Sequence, residues 1–226
     1  MNPPIVFVSG SKGGVGKSIA SMAVLDYLTT AGRPVKLVET DLANPDVWKS
    51  YGRSVETELL DLDQVDGWIS LVNLLDADPH ITFVINTPAR NNESVRDHGA
   101  ILQDSLRELE RRLVTLWVIN RQRDSLELLE SYMQSMNSGV IHVIRNGYFG
   151  DVHKFELYEH SALKQTIKDQ GGLSLFLPDL ADRVADALYT GRVTLKEAAG
   201  QLKLGDRAVL NSWRNAVRAL FTEAEL

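Results

Sequence analysis

Two lysines and two hydroxyls set among three glycines carry the densest chemistry in this 226-residue chain: Ser11-Lys12-Gly13-Gly14-Val15-Gly16-Lys17-Ser18. Glycines at this spacing let a backbone turn its N–H groups inward and approach a polyphosphate closely. The Lys17 ammonium suits the outer phosphates, and the Ser18 hydroxyl suits a Mg²⁺ ion held by them. Such a loop needs a buried strand before it and a helix after it, because the helix points its positive end at the same anion. Both flanks are present. Ile5-Val6-Phe7-Val8 is the continuous apolar run of a strand covered on both faces. Ile19 to Ala31 is apolar on most sides, as a helix between a sheet and its neighbours is, and Gly32 suits its C-cap. The strict pattern G-x-x-x-x-G-K-[ST] fails only at its first position, where Ser11 stands, and Lys12 precedes the glycine pair.

Val35 to Val38 forms a second strand and completes a right-handed β-loop-α-β unit. Glu39-Thr40-Asp41 follows it, at the strand end where open α/β sheets place ligands. The same acids also fit a loop that caps a helix starting near Pro45. Further strands are expected at 81–85, 114–119, 140–144 and 173–177, six in all. The fold class is therefore α/β: a three-layer P-loop fold with a mostly parallel sheet between helices, one domain over 1–226, and a helical tail over 194–221. Val55 to Pro79 is the least readable stretch, with a buried helix suggested by Trp68, Leu71 and Leu75. Trp48 and Trp68 read as core anchors. Asn92 to Arg112 reads as one amphipathic helix.

The tail from Ala181 holds two helical stretches. Thr194 and Glu197 form a capping box for Leu195 to Leu202. Arg207 to Phe221 sets Trp213, Val217 and Leu220 on one face and Arg207, Arg214 and Arg218 on another. Three readings stay open: a helix-turn-helix offering these arginines to DNA, a helix lying on an anionic membrane, or two helices packed on the sheet.

Apolar residues make up 44% of the chain and charged residues 24%, an ordinary globular balance. A formal charge of −6 argues against a protein that coats nucleic acid over its whole surface, while a local basic face stays open. With no cysteine there is neither a disulfide nor a thiolate metal site, and His142, His153 and His160 lack ligand spacing. No run is long enough to span a membrane, and Met1 to Pro4 leads directly into the first strand, leaving no room for a signal peptide. The expectation is a cytoplasmic protein.

The run KGGVGKS resembles the deviant Walker A motif of the ParA/MinD family, ATPases that partition plasmids and position cellular cargo. That resemblance implies ATP and Mg²⁺ as ligands, held by Ser11, Lys12, Gly13, Gly14, Val15, Gly16, Lys17, Ser18 and Ile19. It implies that Lys12 crosses a dimer interface to the partner's phosphates. Glu39 to Asp41 resembles the family's D-x-D switch with Glu39 at the first acid, so Asp41 would orient the attacking water and help hold Mg²⁺. Lys12, Lys17 and Asp41 are then the catalytic set. Asn86-Thr87-Pro88 resembles the end of the Walker B strand, with Asn86 replacing an aspartate. Ser18, Asp41 and Asn86 would surround the metal, but an amide adds no negative charge. Weak Mg²⁺ binding and slow hydrolysis are expected, with Glu39 compensating. Asn146 matches an asparagine at the adenine edge, though Asn-Gly is also a common turn pair. Leu177-Pro178-Asp179 resembles the turn beside the base, adding Pro178 and Asp179. The implied function is an ATP-driven homodimer, cytoplasmic and nucleoid-associated, that binds DNA or a DNA-binding adaptor in plasmid partition, stability or conjugation. Its size and Asn86 are similar to the StbB/TraL type. Two alternatives remain: a nucleotide-dependent scaffold that does not hydrolyse, and a dethiobiotin-synthetase-like enzyme, for which no second constellation is present.

Overall fold

Strand β1 (Ile5–Gly10) is buried along its whole length and lies in the middle of a seven-stranded sheet. The computed structural model describes residues 2–89 and 91–226. The remaining strands are β2 (Val35–Glu39), β3 (Glu56–Leu59), β4 (Thr82–Asn86), β5 (Leu113–Ile119), β6 (Val140–Asn146) and β7 (Ser174–Leu177). They lie in the order β3-β2-β4-β1-β5-β6-β7, and every neighbouring pair is parallel. The helices are α1 (Lys17–Thr30), α2 (Asp46–Tyr51), α3 (Val65–Ala77), α4 (Asn91–His98), α5 (Ala100–Ser105) and α6 (Arg123–Ser135), followed by α7 (Glu156–Glu159), α8 (Ala162–Asp169), α9 (Asp182–Gly191), α10 (Leu195–Gln201) and α11 (Leu204–Glu223).

Alternation along β1 divides the core. Val6 and Val8 face one layer with α1, α2, α9, α10 and α11, while Ile5 and Phe7 face the other with α3 to α8. Because both faces are covered, the central strands are apolar without a break, which is why they were legible.

The structure corrects several expectations. The sheet has seven strands, all parallel. The extra strand, β3, lies at an edge, where Glu56, Glu58 and Leu59 are exposed, so it lacks the apolar run of a buried strand. The helix expected over 92–112 is split at Gly99 into α4 and α5, and 106–110 are turns with Glu110 at φ 52°. A third helix, α9, precedes the two expected in the tail. Trp68 is a core anchor, its indole N–H donating to Leu62 O at 2.8 Å. Trp48 is not one, being 42% exposed.

Of the three readings of the tail, the packed one describes the geometry. Helix α11 buries Leu210, Trp213, Val217, Leu220 and Phe221. Arg214, expected to face DNA, instead makes two 2.8 Å hydrogen bonds to the buried Asp26 carboxylate on α1 and is itself largely covered. Arg207 is half-buried and Arg218 is exposed. No helix among the described residues is long and apolar enough to cross a membrane.

Candidate nucleotide site

The glycine loop leaves β1 against β5. A Cβ on Gly10 would lie 2.6 Å from Val118 O, so the chain turns there only as glycine. Gly14 and Gly16 stand at φ 77° and 104°, in the left-handed region. A Cβ on Gly16 would sit 2.3 Å from Asn146 Nδ2, while nothing lies within 4 Å of one on Gly14. The loop is thus closed on its β6 side and open on the other. Lys17 curls back and donates to Lys12 O at 2.9 Å. Burial lowers its ammonium to about 8, partly opposed by the Asp41 carboxylate.

Two clefts meet at this loop. The first, of 390 Å³, is walled by Gly13, Gly14, Gly16, Lys17 and Ser18, by Asp41, Asn44 and Asp46 after β2, by Thr87 and Ala89 after β4, and by Tyr189. The second, of 480 Å³, has Ile19, Asn146, Tyr148, Leu177, Pro178 and Asp179 on one side and Asp182, Asp186 and Tyr189 of α9 on the other. Gly14, Gly16 and Tyr189 belong to both. The combined groove runs from the basic loop to the carboxyl ends of β6 and β7, with room for phosphates at one end and a flat ring at the other.

Not every residue expected in the site lines it. Gly13, Gly14, Gly16, Lys17, Ser18, Ile19, Asp41, Asn146, Pro178 and Asp179 do. Ser11 turns away and shares a 2.7 Å hydrogen bond with Ser125 of α6. Val15 is buried, and its carbonyl accepts from Asn146 Nδ2 at 2.8 Å. Lys12 is exposed and forms an ion pair with Asp124 at the start of α6. Asn146 also caps the following turn, its Oδ1 accepting from Tyr148 N at 3.1 Å. Its two sequence readings therefore coincide: it is a turn residue and also a wall of the groove.

Asn86 is closed off. Its Oδ1 accepts from Ser21 Oγ at 2.8 Å and its Nδ2 donates to Glu39 Oε1 at 2.7 Å, at 1% exposure. Glu39 also accepts from the backbone N–H groups of Asp41 and Trp48, and burial raises its carboxyl above the ordinary value. Glu39 therefore braces the loop after β2 and the first turn of α2 from below. For a metal, Ser18 and Asp41 supply the hydroxyl and carboxylate oxygens that suit Mg²⁺, whereas Asn86 does not reach the cleft. No cluster of three acid or histidine ligands exists among the described residues, so a cation here fits one brought in with phosphates.

The residues that sequence reasoning missed are Tyr148 and the α9 face. Asp182, Asp186 and Tyr189 are spaced four and three apart, one stripe of a helix, and that spacing was the available signal.

A glycine loop with an early lysine, set after a middle strand of an all-parallel sheet between two helical layers, defines a P-loop fold of the ParA/MinD type. The chain overlays MinD in the MinC:MinD cell division complex of Aquifex aeolicus with a TM-score of 0.59, at 14% identity over 97% of this chain and 96% of that one. It overlays a nucleotide-binding protein of Archaeoglobus fulgidus, solved with ADP, with a TM-score of 0.52, at 13% identity over 84% and 86% of the two chains. No family model matches the sequence. Protein MobD of Acidithiobacillus ferrooxidans is 52% identical over 218 residues, 96% of each chain, and the present chain belongs to the MobD family.

Proposed function

We propose that this protein binds ATP with Mg²⁺ in the two-part groove and acts as a nucleotide-switched homodimer in conjugation or plasmid maintenance. The observation that carries the reading is the junction of the two clefts at Gly14 and Gly16, directly over the start of α1. Lys17 and the loop amides take the phosphates, Ser18 and Asp41 take the cation, and the turn at 177–179 with Asn146 borders the base. Bound Mg²⁺ would supply charge neutralisation of the β- and γ-phosphates. The ADP held by the Archaeoglobus neighbour supports the same use of the groove. Kinship with MobD supports a role in mobilisation. Lys12, held by Asp124 in the single chain, would transfer to the partner's phosphates when two ATP-bound subunits close, as the MinD-like fold allows.

A second reading has its own observation. With Asn86 committed to Glu39 and Ser21, no carboxylate from β4 reaches the cation, which favours ATP as a dimer clamp with slow or no turnover. Calorimetry with ATP and ADP at millimolar Mg²⁺, followed by sizing with each nucleotide, tests both. ATP-dependent dimerisation that is lost in Lys12→Ala is expected. Absence of any nucleotide uptake overturns both readings, and a phosphate-release assay separates them.

A further inference from the structure

The C-terminal end of α2 and the α9–α10 turn enclose a separate cleft of 440 Å³, lined by Trp48, Lys49, Gly52, Arg53, Gly191 and Arg192. Its lining holds three cations and no carboxylate, in a chain of net charge −6. Arg53 and Arg192 are exposed and form no ion pair among the described residues. Lys49 is joined to Asp46 one turn earlier at 2.9 Å. Arg192 ends α9 at φ 49°, a left-handed position that glycine would fill without strain. Trp48 is 42% exposed, whereas Trp68, Trp117 and Trp213 are at most 4% exposed. The indole lies against Gly52, where an added Cβ would stand 2.8 Å from Trp48 Cδ1. An aromatic face held in place beside two free guanidinium groups joins a stacking platform to a phosphate clamp.

We propose that this cleft binds single-stranded nucleic acid, with an unpaired base stacked on Trp48 and the flanking phosphates paired with Arg53 and Arg192. A duplex conceals its base faces and leaves Trp48 unused. An acidic peptide engages the cations but not the ring. Arg214, held in its ion pair with Asp26, is not available for such a contact.

The test is fluorescence anisotropy of a short labelled oligothymidine with the full chain at low salt. Arg53→Glu/Arg192→Glu should weaken binding about tenfold or more and flatten the salt dependence by roughly 1.4, the slope expected for two lost phosphate contacts on a single strand. Trp48→Ala should weaken binding about tenfold, whereas Trp48→Phe should keep the affinity and abolish quenching of intrinsic fluorescence, since the other tryptophans are buried. Binding of a fluorescent ATP analogue, read on the same preparations, should stay at the wild-type level and reports the nucleotide groove independently. No binding by the wild type, wild-type affinity in the double arginine variant or in Trp48→Ala, or tighter binding of duplex or acidic peptide would each overturn the proposal.

Discussion

The Asn86 amide nitrogen lies 2.7 Å from Glu39 Oε1, and both side chains are at most 1% exposed. An amide in the position where relatives of this fold are expected to carry an acid is therefore the partner of another acid one strand over. Two carboxylates at this distance would repel, and an amide and a carboxylate do not. The replacement belongs to a pair.

Asn86→Asp alone should accordingly destabilise the protein by roughly 2–3 kcal/mol, because it removes a buried donor and sets like charges together. Adding Glu39→Gln should recover most of that loss, because one amide then again faces one carboxylate, while Mg²⁺ affinity and phosphate release stay near the wild-type level, since position 86 does not reach the cleft. Denaturant titration and a steady-state ATPase assay on the four proteins of the cycle check this. A double variant with raised turnover would show that position 86 acts on the cleft after all.

Burial holds the Lys17 ammonium at about 8 in the free protein, so its charge is lost as pH rises through that value. Triphosphate affinity should be highest below pH 8 and fall above it, with a proton taken up on binding near that pH. Calorimetry in buffers of different ionisation enthalpy measures the uptake directly. Lys17→Ala should abolish the affinity.

Lys12 and Asp124 hold each other within one subunit, and the lysine's hydrogen bond, together with its charge, keeps the Asp124 carboxyl below its ordinary value. Asp124→Asn frees the lysine. If closure of two subunits needs Lys12, this variant should dimerise at lower ATP concentration than the wild type, while Lys12→Ala should not dimerise. Analytical ultracentrifugation across an ATP series distinguishes them.

The buried Arg214–Asp26 pair ties α11 to α1. Removing one partner strands a charge, so Arg214→Ala should cost about 3–5 kcal/mol, and Arg214→Met with Asp26→Asn should cost less. Chemical denaturation gives both values. A surface arginine would give less than about 1 kcal/mol.

His142 accepts a hydrogen bond from Leu173 N at 3.0 Å through Nδ1, and burial, helped by Arg112, lowers its imidazolium to about 4. In the unfolded chain it titrates near 6.5, so between those values the unfolded state binds the extra proton. Stability should be full above about pH 6.5 and decline as pH falls toward 4, by up to roughly 3 kcal/mol. His142→Gln should flatten that profile in thermal melts recorded across the range.

The readable parts of this chain share one property: burial on both sides. β1, β4, β5 and β6 are apolar runs because helices cover both faces of the sheet, and the glycine loop is visible because backbone geometry admits few other residues there. β3 escaped notice because an edge strand with an exposed side needs no such run. Trp48 was misassigned because an indole suits a core and an exposed platform equally well in sequence. The α9 wall of the groove carried a helical stripe of Asp182, Asp186 and Tyr189, but nothing in one dimension placed it across from Asn146.

By itself, the order of residues determined a strand, a glycine-rich loop and a helix, since local backbone freedom and apolar runs are properties of neighbours along the chain. The third dimension decided whether a given polar group faces a ligand or another part of the protein. Lys12, Asn86 and Arg214 found partners more than sixty residues away, in Asp124, Ser21 and Asp26, and such pairings depend on how the strands are ordered in the sheet and how the helices are laid over it.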